Sequence, residues 1–182
     1  MALAATVNSQ IVSDVNSGPH ARAQAAADVI REAAGADIAF LAAGLLKQPD
    51  PGGDLAALLQ YPTDEIVVMR LTGKQIQEAI ERSVANYPDA SSALLQLSGM
   101  TVTFSPSSPS GSRVKEISVG ETPLENGKSY QVAMPASLAR GALGYFKVWD
   151  KSQISKSLGT TIEQALKGKT GSVKSPRYIV AR

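Results

Sequence analysis

The apolar run Ala36–Ala43 is the stretch of sequence that most constrains how this chain folds. It is interrupted only by Asp37 and is bounded by Gly35 and Gly44, with Lys47 as the next charged residue. A short apolar run between turn residues is typical of a buried strand, although its periodicity does not distinguish it from a buried helix. Loops that leave buried strands often carry binding residues. Here the loop before Lys47 holds only small and aliphatic side chains, so the sequence indicates a fold more clearly than an activity.

Composition places the chain among ordinary globular proteins and argues against several classes of function. Its 182 residues, of which 43% are hydrophobic, indicate one domain spanning positions 1–182. The formal charge is +2, from 18 basic and 16 acidic residues, so we expect no nucleic-acid partner. Because cysteine is absent, disulfides, zinc–thiolate sites and thiol catalysis are excluded. No apolar run approaches the roughly 20 residues of a transmembrane helix, so we expect no membrane span.

The first 18 residues differ in pattern from the rest of the chain. Thr6–Val15 alternates apolar and polar side chains with one slip at Val12, which predicts an N-terminal arm or edge strand within residues 1–18. The opening residues are small, like the tail of a cleaved signal peptide, but lack the basic segment and long apolar segment of a complete one. We therefore expect a mature protein of the extracellular space or the cell envelope.

Local signals predict a mixture of helices and strands. Pro19 and Gly35 mark the two ends of the first helix, and Thr72 with Gln75 forms a capping box at the start of another. Helices are predicted at His20–Ala34, Leu55–Gln60, about Thr72–Tyr87 and Thr160–Leu166. Strands are predicted at Ala36–Ala43, Glu65–Leu71, Leu94–Phe104 with a bulge at Gly99, Arg113–Val119, Tyr130–Met134 and Tyr178–Val180. This order follows no strict βαβ rhythm, which favours α+β over doubly wound α/β.

Several of these segments, taken in order, resemble the C-terminal domain of the 5′-nucleotidase family. The motifs that carry the resemblance are DEIVVMRLTGKQIQEAIERSV, LLQLSGMTVTF and KSYQVAMPASLARGALGYFKV, within a match from about Ala25 to Ile179. The resemblance implies a mixed sheet packed with helices. It also implies a domain that binds the nucleoside part of a substrate, commonly between two aromatic rings. In the family, a separate N-terminal metallophosphoesterase domain holds two metals and hydrolyses the phosphate ester.

The resemblance implies four ligand-binding positions, and their side chains depart from the family pattern. Lys47 stands where the family has an arginine, and a lysine offers a point charge in place of a forked guanidinium. Leu94 stands where a phenylalanine stacks on the base. Tyr145 or Phe146 remains as a stacking ring, and Leu143 replaces a polar aspartate beside them. We expect the binding site to be eroded.

These positions lie in three loops, which we call the first loop (Ala42–Lys47), the second loop (Leu94–Gly99) and the third loop (Gly141–Phe146). If the resemblance holds, the three loops converge on one surface. We expect a shallow, mainly apolar pocket there, with Lys47 at its rim and Tyr145 or Phe146 on one wall. Such a pocket discriminates poorly between ligands, because discrimination comes from buried hydrogen-bonding groups that the wrong ligand leaves unpaired.

The sequence offers no constellation for catalysis. The one histidine, His20, has no metal-ligating neighbours and is expected on the surface. Ser98 has no nearby histidine to activate it as a nucleophile. A dinuclear hydrolase site needs several His and carboxylate ligands, which this chain lacks. We therefore expect no catalytic residues, no bound catalytic metal, no cofactor and no 5′-nucleotidase activity from this chain alone.

Three functions remain open on sequence grounds. The first is a noncatalytic binding or interaction domain that takes a nucleoside or nucleotide weakly. The second is the substrate-specificity part of a nucleotide hydrolase, acting in nucleotide catabolism, whose metallophosphoesterase domain lies on another chain or outside this sequence. The third is a structural module of the cell envelope without a small ligand.

Overall fold

The computed structural model describes residues 10–181. Its regular elements are α1 (Ala21–Ala34), β1 (Ile38–Ala42), β2 (Glu65–Thr72), α2 (Gly73–Ser83), β3 (Leu95–Ser98), β4 (Met100–Phe104), β5 (Val114–Val119), β6 (Thr122–Pro123), β7 (Ser129–Pro135), α3 (Ala136–Ala139), β8 (Ile154–Thr161), α4 (Ile162–Leu166) and β9 (Tyr178–Val180). Short 3₁₀ turns lie at Ala43–Leu45, Leu55–Leu58, Ala142–Lys147 and Lys151–Gln153. Across residues 10–181, every helix is too short or too polar to cross a membrane.

The strands form two sheets, which confirms the α+β prediction. The first sheet has the order β3-β1-β7-β2-β8, and the second has the order β6-β5-β4-β9. In the first sheet β1 runs parallel to β7, while the other neighbours are antiparallel. In the second sheet β9 runs parallel to β4, and β5 is antiparallel to both of its neighbours.

Strand β1 is buried on both faces, as its continuous apolar sequence predicts. Ile38 and Phe40 pack into a core with α2 and the second sheet, whereas Ala39 and Leu41 pack into a second core beneath α1. Because successive side chains of a strand point to opposite faces, a strand between two cores has to be apolar at every position.

Gly99 joins the two sheets and is not the bulge that the sequence predicted. β3 belongs to the first sheet and β4 to the second, so the chain changes sheets at this residue. Gly99 has φ of +78°, and a Cβ there would lie 2.1 Å from the carbonyl oxygen of Asp37. Only glycine meets both conditions, because it has no Cβ and adopts positive φ at little cost.

Helix bounds also differ from the prediction: the predicted helix Leu55–Gln60 is a 3₁₀ turn over Leu55–Leu58, and the predicted helix Thr160–Leu166 begins at Ile162. Helix α2 begins at the predicted capping box but ends at Ser83, before the predicted Tyr87. The Ser83 hydroxyl accepts from the N–H of Leu95 at 2.8 Å and lies 2.7 Å from the Tyr178 hydroxyl, so it ties the end of α2 to both sheets. Strand β8 gives no clear sequence signal, because it is a sheet edge of exposed and half-buried residues in which only Ile154 and Leu158 are apolar.

The N-terminal arm is partly described. Residues 6–9 of the predicted alternation lie outside the described residues, and residues 10–18 form bends and turns in place of a strand. The buried side chain of Gln96 holds this segment, since its amide donates to the carbonyls of Val15 and Gly18, both at 2.8 Å. Its amide oxygen accepts from the N–H of His20 at 3.0 Å.

His20 is buried, which corrects the prediction that it is a surface residue. Only 6% of the His20 residue is exposed. It caps α1, where its Nδ1 accepts from the N–H of Ala23 at 3.2 Å. Its Nε2 lies 3.7 Å from an Asp50 carboxylate oxygen. Burial lowers the pKa of His20, with a further decrease from Arg22 and opposing increases from Asp50 and Asp14. Nδ1 accepts a hydrogen bond only when it carries no proton, so the capping contact agrees with a lowered pKa of His20.

We predict that Gly99→Ala destabilises the protein far more than Gly35→Ala. Both glycines have positive φ, but nothing lies within 4 Å of a Cβ on Gly35. Gly35→Ala should therefore cost about 1 kcal/mol from backbone strain. Gly99→Ala adds a clash with Asp37 and should cost on the order of 3 kcal/mol or more. Urea denaturation of both variants is the measurement, and equal losses would contradict the assignment of Gly99 as the joint.

We predict that folding stability falls as the pH drops below the ordinary histidine pKa of 6.5. Because the folded pKa of His20 is the lower one, the unfolded chain binds a proton first as the pH falls. The contribution of neutral His20 to the free energy of unfolding is complete above pH 6.5, and it is lost as the pH falls from 6.5 to the folded pKa. Urea denaturation between about pH 7.5 and 5.5 should show the decrease. His20→Asn retains a capping acceptor without titrating, so an undiminished decrease in this variant would contradict the prediction.

Candidate functional site

The first and third loops lie against each other, and the start of the second loop joins them. The N–H of Ala43 donates to the carbonyl of Leu94 at 2.8 Å, which ties the first loop to the second. The Leu143 methyl groups lie 3.0 and 3.1 Å from the position of a Cβ on Gly44, so the third loop packs directly on the first. Three segments far apart in sequence therefore meet at one end of the first sheet.

An open cleft of about 560 Å³ lies at this junction. Its lining residues are Gly44, Leu45, Tyr61, Thr63, Asp64, Ser137, Ala142 and Leu143. The first and third loops supply the apolar part of this lining. The polar part of the lining comes from residues 61–64 and from the start of α3. The sequence pattern predicts a site at neither segment.

The structure places Lys47 and Leu94 away from the cleft lining. Lys47 is exposed, and its backbone N–H donates to the carbonyl of Leu58 at 2.7 Å. Leu94 is buried and borders a separate pocket of about 90 Å³, together with Tyr87 and Phe104. In this arrangement the Leu94 side chain supports the second loop from inside.

Tyr145 and Phe146 are neighbours in sequence but occupy opposite environments. The Tyr145 ring is fully buried and stacks on Trp149, with centroids 4.9 Å apart and planes at 12°. Its hydroxyl donates to the carbonyl of Ala93 at 2.6 Å. Burial raises the pKa of the Tyr145 phenol well above its ordinary value, so the hydroxyl stays protonated as a donor. Phe146 is 67% exposed and is therefore the ring of the pair that a ligand can reach.

Arg82 of α2 clamps the third loop. Its Nε donates to the carbonyl of Leu143 at 2.9 Å, and its guanidinium lies 5.4 Å from the centroid of the Tyr145 ring. Leu143 has φ of +58° and is the only non-glycine residue with positive φ among residues 10–181. Gly144 has φ of +82°, which glycine adopts at little cost, and a Cβ there would displace the Arg82 guanidinium. Non-glycine residues persist at such φ values only where the surroundings fix them, which Arg82 does here.

A tight turn from Tyr61 to Asp64 forms the opposite side of the cleft. The N–H of Asp64 donates to the carbonyl of Tyr61 at 3.3 Å, and α4 fixes the turn because the N–H of Ile162 donates to the carbonyl of Asp64 at 2.7 Å. The Asp64 carboxylate accepts from both the N–H and the hydroxyl of Ser137. The Tyr61 side chain is 56% exposed. The one sequence signal for this turn is a Tyr-Pro pair just before a strand, which by itself indicates only a turn.

A metal centre has no support in the described part of the chain. Over residues 10–181, no three or more His, Cys, Asp or Glu residues come together in a group that could hold a metal ion. The Asp64 carboxylate accepts hydrogen bonds from Ser137, and among residues 10–181 no other carboxylate or histidine lines the cleft.

The profile of the 5′-nucleotidase C-terminal domain matches residues 3–150 of this sequence. The chain belongs to this family. The trifunctional nucleotide phosphoesterase protein YfkN of Bacillus subtilis is 31% identical over 139 residues, which are 71% of this chain and 9% of that protein. The snake venom 5′-nucleotidase of Macrovipera lebetinus is 35% identical over 86 residues, which are 43% of this chain and 21% of that protein. The resemblance inferred from the motifs is confirmed.

Solved structures agree on the fold of this 5′-nucleotidase C-terminal domain. The 5′-nucleotidase precursor of Thermus thermophilus superposes with a TM-score of 0.80 at 23% identity, covering 96% of this chain and 38% of that one. A putative 5′-nucleotidase of Staphylococcus aureus gives 0.72 at 16% identity, covering 97% of this chain and 41% of that one. The chain thus spans less than half the length of these relatives.

We predict that Tyr145→Phe lowers the free energy of unfolding by about 1–2 kcal/mol, because it leaves the buried Ala93 carbonyl without its donor. Phe146→Ala should change it by less than about 0.5 kcal/mol, since that ring is exposed. Urea denaturation followed by Trp149 fluorescence measures both, because Trp149 stacks on Tyr145. A larger loss for Phe146→Ala than for Tyr145→Phe would show that the two environments are assigned the wrong way round.

Proposed function

We propose that this 5′-nucleotidase C-terminal domain is a noncatalytic binding module that takes a nucleoside or nucleotide weakly in the cleft. The observation that carries the proposal is the cleft itself, whose lining combines the exposed Tyr61 ring with the aliphatic side chains of Leu45 and Leu143. A planar ring suits such a site, because it buries both faces against apolar or aromatic groups. The convergent polar groups of the same cleft favour this function over a structural module without a ligand.

The expected affinity follows from the small number of contacts. Stacking of a base on one aromatic side chain contributes about 1–3 kcal/mol. Association costs an estimated 4 kcal/mol or more in lost translational and rotational freedom. Stacking and apolar contact therefore leave little net free energy of binding. We expect dissociation constants of about 1 mM or weaker for ordinary nucleotides.

The four positions implied by the family pattern divide into two groups under this proposal. Phe146 and Lys47 are exposed but lie outside the cleft lining, so neither contacts the base directly under this proposal. Leu94 and Tyr145 are buried and serve as supports that hold the loops in place. The turn residue Tyr61 then takes the stacking role.

We predict that Tyr61→Ala weakens adenosine binding in NMR titrations, while Tyr61→Phe retains it because the ring is kept. Phe146→Ala should have a smaller effect, since Phe146 does not line the cleft. Phosphate release from AMP with added divalent metal should stay at the level of a heat-killed control. Binding that is insensitive to Tyr61→Ala would contradict the site, as would micromolar affinity abolished by Phe146→Ala. Turnover that survives further purification would contradict the noncatalytic role.

A second candidate is the substrate-specificity part of a nucleotide hydrolase in nucleotide catabolism, with a metallophosphoesterase domain supplied from elsewhere. Two observations favour it. The chain spans only 9–21% of the named nucleotide phosphoesterase and venom 5′-nucleotidase. Among residues 10–181, Tyr61 and Phe146 are the two large apolar side chains that are exposed, and both belong to segments that border the cleft. Co-purification of a metallophosphoesterase chain from the native source would support this candidate, and a strictly monomeric species there would count against it.

We also propose an extracellular or cell-envelope location. The relatives include proteins named as venom enzymes and one named as a precursor. Fractionation of the native source, with immunodetection of this chain, tests the location.

A further inference from the structure

We propose that Asp64 makes the cleft selective for planar rings whose edge carries adjacent N–H donors, as guanine does. The inference rests on the proposed nucleoside-binding function and adds the class of base. It follows from the Tyr61–Asp64 turn, which places an exposed aromatic ring and a carboxylate side by side on the same wall of the cleft.

The carboxylate has acceptor capacity to spare. A carboxylate offers two oxygens with about four lone-pair sites. Ser137 uses some of this capacity, because its N–H lies 3.3 Å from Oδ1 and 3.2 Å from Oδ2 and its hydroxyl donates to Oδ2. Oδ1 therefore receives only one long contact from Ser137. As the hydroxyl bond anchors Oδ2, a ligand meets Oδ1 in a fixed orientation.

Helix α4 holds the backbone of the turn, and the described residues that line the cleft carry no positive charge. The carbonyls of Pro62 and Asp64 accept from the N–H groups of Glu163 and Ile162 at 3.2 and 2.7 Å, so the start of α4 fixes the backbone of the turn. Among residues 10–181, those that line the cleft include no Lys, Arg or His. An anionic or acceptor-rich ring edge would face the carboxylate without a compensating cation, whereas a donor-rich edge pairs with it.

Selectivity of this kind has a simple chemical basis. The Watson–Crick edge of guanine presents N1–H and the exocyclic amino group next to each other, and both can point to Oδ1, the oxygen that Ser137 leaves largely free. Hypoxanthine lacks the amino group and keeps the rest of the ring. The pair guanosine and inosine therefore differs by one hydrogen bond to a charged acceptor, while stacking on Tyr61 stays the same.

Ligand-observed NMR with guanosine and inosine tests the inference. We expect guanosine to bind about tenfold more tightly than inosine, which corresponds to one hydrogen bond to a charged group. In Asp64→Asn the preference should fall to about twofold or less. The matched control is Glu65→Gln, which removes the same charge one residue away, on a side chain that contacts Ser157 and does not line the cleft. This control should keep the tenfold preference.

The possible outcomes separate the two proposals. Equal binding of guanosine and inosine by the unmodified protein overturns the selectivity and leaves the binding function in place, and this comparison needs no variant to fold. Loss of the preference in Glu65→Gln as well as in Asp64→Asn also overturns it, because the effect would then be one of net charge. If no nucleoside binds, the proposed function fails and the selectivity fails with it.

Discussion

The two-sided burial of β1 is the constraint on which the rest of this fold depends. Because one face of the strand meets α2 and the second sheet and the other meets α1, the strand sits at the centre of the layers. Its parallel neighbour β7 and antiparallel neighbour β3 are fixed by the same burial, since a shift of one residue would turn every side chain to the wrong core. The first loop leaves the end of β1, the second loop contains β3, and the third loop follows β7 through α3. The three loops meet because their strands are neighbours in the first sheet.

Arg82 adds a second constraint, which acts on the loops themselves. It holds Leu143 at positive φ and covers the ring of Tyr145, which in turn bonds to Ala93 beside the second loop. One side chain of α2 therefore links the third loop to the helix on one side and to the second loop on the other. The backbone strain at Leu143 is sustained by these contacts, and it places an aliphatic side chain against Gly44. The shape of the cleft depends on this clamp as much as on the strands.

The fold was largely predictable from the sequence, because its signals are local. The apolar run of β1, the capping box at Thr72 and the glycine after α1 all specify structure within a few residues. What escaped prediction depends on partners far along the chain. The sequence around Gly99 predicts a bulge, because it does not show that the strands on the two sides of this residue join different sheets. His20 was expected on the surface because the Gln96 and Asp50 groups that enclose it are distant in sequence. Edge strand β8 has only two apolar side chains, Ile154 and Leu158, and their spacing of four residues does not produce a strand alternation.

The candidate site was harder to predict than the fold, and Leu143 explains much of the difference. The resemblance led to residues on the three loops, where Leu143 stands in place of a polar aspartate. Here the Leu143 methyl groups pack directly against Gly44. The open volume lies instead between these loops and the Tyr61–Asp64 turn. A residue pattern shows which side chains differ from the family. It does not show where the resulting open volume lies in the folded chain. Tyr61 and Asp64 become candidates only when the packing of Leu143 is known, because the same packing that closes one side of the junction leaves the other side open.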